Sequence, residues 1–239
     1  MGASSAKRVS GQTVAVPNAR YDGLADWYDQ EQARLAQRPD APVEQLALLV
    51  GPGAGLFVEL GCGTGLTAMA LEGQGWTVTG LDISADQLAI ARSRCGSVVH
   101  GDAHELPFRS ASITALGMAF VHTDVDAFEK VMREIGRVLA PGGRVAHLGV
   151  HPCFVGHHVD SPDKSDVHLG FAAGYRDAMR VNDSEQFGPG IRSRVGARHV
   201  PLGPFLMAFI DAGLVFDQCM ELGEGLLPWM LGVTAHKPI

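Results

Sequence analysis

Several things are scarce in this chain of 239 residues. Aromatic residues make up only 7%, with three Tyr and three Trp. There are four cysteines, at 62, 95, 153 and 219, and none forms a CxxC pair. That spacing excludes a zinc ribbon and a thioredoxin motif, and suits buried thiols in a reducing compartment. No run of 18 apolar residues occurs, so a membrane-spanning helix is not expected. The first residues, Met1 to Ala6, lack the apolar core of a signal peptide, and a cytoplasmic setting is expected. Basic residues are in deficit, 19 against 26 acidic, for a net charge of −7. A broad basic face for nucleic acid is therefore disfavoured. Charged residues are only 19% and hydrophobic ones 46%, which excludes a disordered polymer.

Glycine is abundant instead: 30 residues, well above the usual share of about 7%. The length fits one domain with room for a small lobe. Residues 1–18 are small and polar and read as a loose tail, leaving 19–239 as a single domain.

Apolar spacing predicts a helix over about 23–38, then one led by Pro42 through Val50. Leu56–Leu60 is a short apolar run before glycines, the pattern of a buried parallel strand. A helix from Leu66 to Gln74, a strand over Thr77–Asp82 and a helix from Ala85 to Arg94 with Ser84 as N-cap follow. Strands are predicted at Ser97–His100, Ile113–Phe120 and Arg144–Val150, with a helix over Asp126–Leu139 before the Pro141-Gly142-Gly143 turn. This alternation implies a doubly wound α/β sheet with right-handed crossovers. It breaks at about 151–200, which reads as an inserted lid. A helix over Pro204–Ala212 and two closing strands, Leu214–Glu221 and Leu227–His236, complete the chain.

Gly61-Cys62-Gly63-Thr64-Gly65 follows the first strand and opens a helix. Bare glycines let the chain turn sharply and let a ligand lie against main chain. A tight turn that binds nothing is the plainer alternative. A dinucleotide loop wants G-x-G-x-x-G, but here the third glycine comes one residue early and Leu66 follows. Asp82 ends the second strand, where a carboxylate can hold the two hydroxyls of a ribose. The pair suits an adenosine-like ligand without a pyrophosphate.

Four segments in this order resemble the class I S-adenosylmethionine-dependent methyltransferases, specifically the small-molecule type 11 group. They are Val58–Gly65, Gly80–Ser84, Gly101–Phe108 and Leu139–Arg144. The resemblance implies a Rossmann-like seven-stranded sheet, mostly parallel, with one antiparallel strand near the C-terminus. It implies S-adenosyl-L-methionine as cofactor, with Gly61 and Gly63 against its methionine part and Glu59 orienting the loop or reaching its amino group. Asp82 would hold the ribose, Ile83 would lie on the adenine, and Asp102 with the Ala103 N–H would read it. Gly117 would offer main chain to the methionine amine, and His122 would sit at the cofactor's edge. Tyr21 and Tyr28 would belong to a helix closing over the cofactor.

Candidate bases for a methyl acceptor are His122, after the fourth strand, and His151, after the fifth. Both lie where open α/β sheets bind ligands, and imidazole titrates in the useful range. The alternative for His122 is a helix-capping turn with Thr123 or Asp124 as cap. His151, Cys153, His157, His158, Asp160, Asp163, Asp166 and His168 are all metal-ligand types, but their spacing matches no zinc pattern, and no metal is expected. Arg192, Arg194, Arg198 and His199 form a basic cluster that either clamps an acidic acceptor group or is a solvated loop. The expectation is methyl transfer to oxygen or nitrogen of a small, specialised metabolite by a monomer or homodimer. The alternatives are an RNA or protein methyltransferase, a non-catalytic cofactor-binding regulator, and an NAD-dependent dehydrogenase, which the loop spacing disfavours.

Overall fold

The computed structural model describes residues 19–160, 170–171, 173–181 and 190–239. The expected tail, 1–18, and the candidate ligands Asp163, Asp166 and His168 lie outside them, as does the Asp160 side chain. Helices α1 (Ala25–Leu35) and α2 (Pro42–Val50) lead into β1 (Gly55–Leu60), α3 (Leu66–Glu72), β2 (Trp76–Asp82), α4 (Ala85–Ala91), β3 (Ser97–His100) and β4 (Ile113–Ala119). A single helical turn, α5 (Val121–Asp124), precedes α6 (Phe128–Val138) and β5 (Leu139–Val150). The lid carries α7 (Ile191–Val195), and after it come α8 (Leu202–Asp211), β6 (Val215–Leu222) and β7 (Met230–His236).

The sheet has seven strands in the order β6-β7-β5-β4-β1-β2-β3. Strand β7 is antiparallel to both of its neighbours, and every other pairing is parallel. The expected architecture, including its one antiparallel strand, is the observed one. Order reverses between β1 and β4, so the crevice lies beyond the carboxyl ends of those strands.

Successive strand residues point to opposite faces. Val58 and Leu60 join Phe128, Ile135, Phe205 and Phe209 under α6 and α8. Phe57 joins Ala68, Leu71, Leu88 and Ala91 under α3 and α4. Helices therefore cover both faces. Helix α6 reaches the turn after α8 closely because residue 136 is glycine: a Cβ there would lie 2.2 Å from the Ala212 carbonyl oxygen.

Three boundaries differ from the sequence reading. The Ser84 cap is real, its Oγ accepting from the Gln87 N–H at 3.2 Å, but α4 stops at Ala91. Strand β5 begins at Leu139, and the expected Pro141-Gly142-Gly143 turn is a bulge within it, between the Ile113–Leu139 and Ala115–Arg144 pairs. Its Gly142 has φ +76° and donates its N–H to the Lys237 carbonyl. Neither Thr123 nor Asp124 caps α6, whose N-cap is Ala127, because both belong to the separate turn α5.

Candidate active site

Gly61, Gly63 and Gly65 have φ of +64°, +54° and +81°. Side chains rarely adopt that region, so the alternating glycines are a backbone requirement. Space is required too. A Cβ on Gly61 would meet Val121 at 2.7 Å, and one on Gly63 would meet the Tyr28 ring at 3.2 Å.

Asp82 ties the loop to β2. Its Oδ2 accepts the Gly63 N–H at 2.8 Å and its Oδ1 accepts the Ser84 N–H at 2.9 Å. Each oxygen keeps a second lone-pair site. Burial raises the Asp82 pKa, opposed by these N–H groups. Beneath the loop, Glu59 is fully enclosed, and burial lifts its pKa to about 8. Its Oε2, and both polar atoms of Gln87, are buried without a hydrogen-bond partner among the described residues. Unsatisfied polar atoms in a native interior call for a partner.

Of the expected adenine-side residues, Ile83 and Ala103 are half-buried. Asp102 Oδ1 accepts the His104 N–H at 2.9 Å and lies 2.7 Å from its Nδ1. Gly117 is placed differently from the expectation. It sits inside the sheet between Glu59 and Ala146, and its missing Cβ makes room for the Phe57 ring, 2.6 Å from where that atom would lie. Its main chain is in the ladder, so the free main chain at this edge begins after Ala119, where β4 ends.

The N-terminal strap covers the loop. Tyr21 packs edge-on to Tyr28, with ring centroids 5.1 Å apart, and donates its hydroxyl proton to Asp124 at 3.1 Å. Burial, and the Asp124 charge next, raise the pKa of both tyrosines. Asp29 pairs with Arg94, which also donates to the Thr64 carbonyl at 3.0 Å. Ser84 donates to Asp22 at 2.6 Å, and the Gly23 N–H to Asp86 at 2.7 Å.

Beyond Gly61 the chain turns at Phe120, a non-glycine residue at φ +59° that stacks on Trp229. Its carbonyl accepts the Thr123 N–H and hydroxyl, closing α5. This turn puts Val121 on Gly61 and His122 into a neighbouring cavity. Left-handed backbone at an aromatic residue is strained, and such strain gathers where geometry is functional.

That cavity, ≈ 60 Å³, is lined by His122, Thr123, Val150, Pro152, Val155, Gly156 and His157 on one side and by Arg192 and residues 197–200 on the other. It is roughly the space of two waters. His122 Nδ1 lies 3.1 Å from His147 Nε2, and its Nε2 has no hydrogen-bond partner among the described residues. Burial holds the His122 pKa well below the usual imidazole value, helped by His147 and Arg192.

His151 is not brought to this cavity. Its Nδ1 accepts the Cys153 N–H and its Nε2 faces Glu221 at 3.1 Å, which spends both nitrogens. The expected basic cluster is divided. Arg192 pairs with Asp124 at 2.7 Å, Arg194 lies 4.0 Å over the Trp27 ring, and Arg198 and His199 line the cavity. His157, His158 and His199 each turn Nε2 to a main-chain carbonyl, so that nitrogen carries the proton and donates. Among the described residues no three His, Cys, Asp or Glu side chains are placed to share a metal.

Two site residues were missed. Asp124 is the hub of the strap and lid, accepting from Tyr21 and Arg192. Its signal was weak, an acid in a polar turn. His147 had a better one: a lone polar residue in the apolar run Val145–Val150.

Residues 58–147 match the family described as a methyltransferase domain. With the sheet order and glycine loop, this makes the chain similar to the class I S-adenosylmethionine-dependent methyltransferases. A demethylmenaquinone methyltransferase of Tropheryma whipplei (strain Twist) is 32% identical over 146 residues, which cover 57% of this chain and 60% of that protein. Among solved structures, an S-adenosylmethionine-dependent methyltransferase from Mesorhizobium loti superimposes with a TM-score of 0.62 at 20% identity, over 90% of this chain and 99% of that one. The [4+2]-cyclase SpnF does so with a TM-score of 0.64 at 17% identity, over 97% and 100%. These likenesses concern the fold.

The residues present fit S-adenosylmethionine. The loop bars side chains at Gly61 and Gly63, Glu59 and Gln87 hold unpartnered polar atoms, and Asp82 keeps acceptor capacity.

Proposed function

We propose that this chain transfers a methyl group from S-adenosylmethionine to oxygen or nitrogen of a small molecule, with a specialised metabolite as acceptor. One observation carries the reading: Val121 packs on the cofactor loop while the next residue, His122, lines the adjoining cavity. In this reading Gly61 and Gly63 lie along the methionine part, Glu59 meets its amino group, and Asp82 holds the ribose. Ile83, Asp102 and Ala103 frame the adenine, and Tyr21 and Tyr28 close over it.

The bound cofactor supplies a methyl on a sulfonium, already activated and with a neutral leaving group. The protein's own work is positioning, proton removal and exclusion of water. His122 Nε2 takes the proton of an acceptor O–H or N–H as that atom gains the methyl. A neutral, desolvated imidazole is ready for this at pH 7. Val150, Pro152, Val155 and Val200 give the acceptor an apolar wall, and Arg198 offers a charge to an acidic substituent. The cavity's ≈ 60 Å³ is too small for an aromatic acceptor, so the lid flanks at 150–157 and 190–200 must part to admit one.

The test is to incubate the protein with methyl-labelled cofactor and a small-molecule extract, then read the products by mass spectrometry. Labelled product with S-adenosylhomocysteine is the expected result. Tight cofactor binding without label transfer, to these or to RNA or protein acceptors, overturns methyl transfer and favours a regulator.

A further inference from the structure

His147 lies in the middle of β5, 1% exposed, amid Phe128, Phe205 and Phe209 at centroid distances of 5.8, 5.0 and 6.2 Å. An imidazole in such a place is costly unless its nitrogens are used. One is: Nε2 lies 3.1 Å from His122 Nδ1. The other, Nδ1, has no partner of good geometry among the described residues. The residue's own main-chain carbonyl, the acceptor that acts on the ring, can reach only this nitrogen.

We propose that His147 is a positioning residue: it holds His122 in the tautomer whose bare Nε2 faces the acceptor cavity. The proposal rests on the reading of His122 as base. The steps follow from donors and acceptors. Two neutral rings share a single proton in their bond. Burial keeps His147 neutral, with a pKa near 3, and lowers that of His122 as well. A carbonyl beside Nδ1 favours the proton there, since a bare nitrogen would set two lone pairs against each other. Nε2 of His147 is then an acceptor, His122 Nδ1–H donates to it, and the lone pair of His122 is left on Nε2. After His122 gains a proton, Nδ1–H still donates to His147, so the contact persists in both charge states. Phe128, Phe205 and Phe209 pack around His147, so the pair orients rather than relays a proton.

Gly149 completes the arrangement. A Cβ there would fall 2.2 Å from His122 Cε1 and 2.7 Å from His147 Cε1. Residue 149 must therefore be glycine for both rings to occupy these places.

Two measurements test this. In 15N-histidine-labelled wild-type protein, NMR reads the tautomers directly: His122 protonated on Nδ1 and bare on Nε2, His147 protonated on Nδ1. The opposite pattern overturns the proposal without any variant. In kinetics, His147→Leu should lower kcat by about 10- to 100-fold, as loss of a partner that orients a functional imidazole does, with cofactor Kd unchanged. His147→Gln, which offers an acceptor oxygen, should recover most of the rate. Equal rates for the Leu and wild-type proteins, or Gln no better than Leu, overturn it. His122→Ala separates the two claims. If that variant keeps full turnover, the base reading fails, while the tautomer seen by NMR stands or falls on its own.

Discussion

At the scale of single residues, burial raises the pKa of both Asp82 and Glu59, but backbone N–H groups oppose it at Asp82. Asp82 retains two backbone N–H donors and spare acceptor sites. Asp82→Ala should lower cofactor affinity by about 1.5–3 kcal/mol, the worth of hydrogen bonds to a charged group. Calorimetry reads this, and unchanged affinity removes the ribose assignment. Glu59 has its folded pKa raised to about 8 by burial, from a model-compound value of 4.5. Between those values the unfolded chain has lost the proton that the folded chain keeps. Stability from this group is therefore fully present below pH 4.5 and declines toward pH 8. The slope is at most about 1.4 kcal/mol per pH unit. Glu59→Gln removes the decline, so urea melts of the variant and the wild type should diverge as pH rises. Parallel curves from pH 5 to 8 would falsify the assignment.

At the scale of elements, the strap formed by residues 20–29 and α1 is fastened by partly exposed contacts. The Asp29–Arg94 pair is 23% exposed on each side. Such a pair is worth about 0.2–1 kcal/mol. Asp29→Ala should therefore speed cofactor release by about 1.4- to 5-fold, measured by stopped-flow fluorescence, with little effect on Tm. No change in release rate places the gate elsewhere. The α6 contact with the α8 turn is tighter. Gly136→Ala would push a methyl group into the Ala212 carbonyl and should destabilise the fold by about 1–3 kcal/mol, read in denaturant melts. Most elements were legible in the sequence, because β1 is a short apolar run before glycines and α6 carries its apolar residues at Phe128, Val131, Ile135 and Val138. Helix ends were less so: α1 stops at Leu35, short of the expected 38, though Pro39 marked its neighbourhood.

At the scale of the whole molecule, the site lies where three separate stretches meet: the strap, the β4–α5 turn and the lid. Asp124 joins them by accepting from Tyr21, Arg192 and, through its carbonyl, Arg20 and Arg180. Binding S-adenosylhomocysteine should therefore protect the entire assembly. At 100 times Kd it adds about 2.7 kcal/mol of stability, seen as a raised Tm and slower cleavage within the strap. A raised Tm without strap protection separates cofactor binding from closure.

By itself the sequence determined the doubly wound sheet, the glycine loop, Asp82 and the motif order, since each is written in residues close together in the chain. Backbone conformation and strand burial are local demands, and local composition reports them. Only the tertiary structure decided which histidine faces the cavity. His122 and His151 occupy equivalent places after neighbouring strands, yet the turn at Phe120 sends one inward while Cys153 and Glu221 engage the other. It also paired His122 with His147 across 25 residues and divided the basic cluster between Asp124, Trp27 and the cavity. Such choices depend on distances between distant segments, and these exist only once the core has packed.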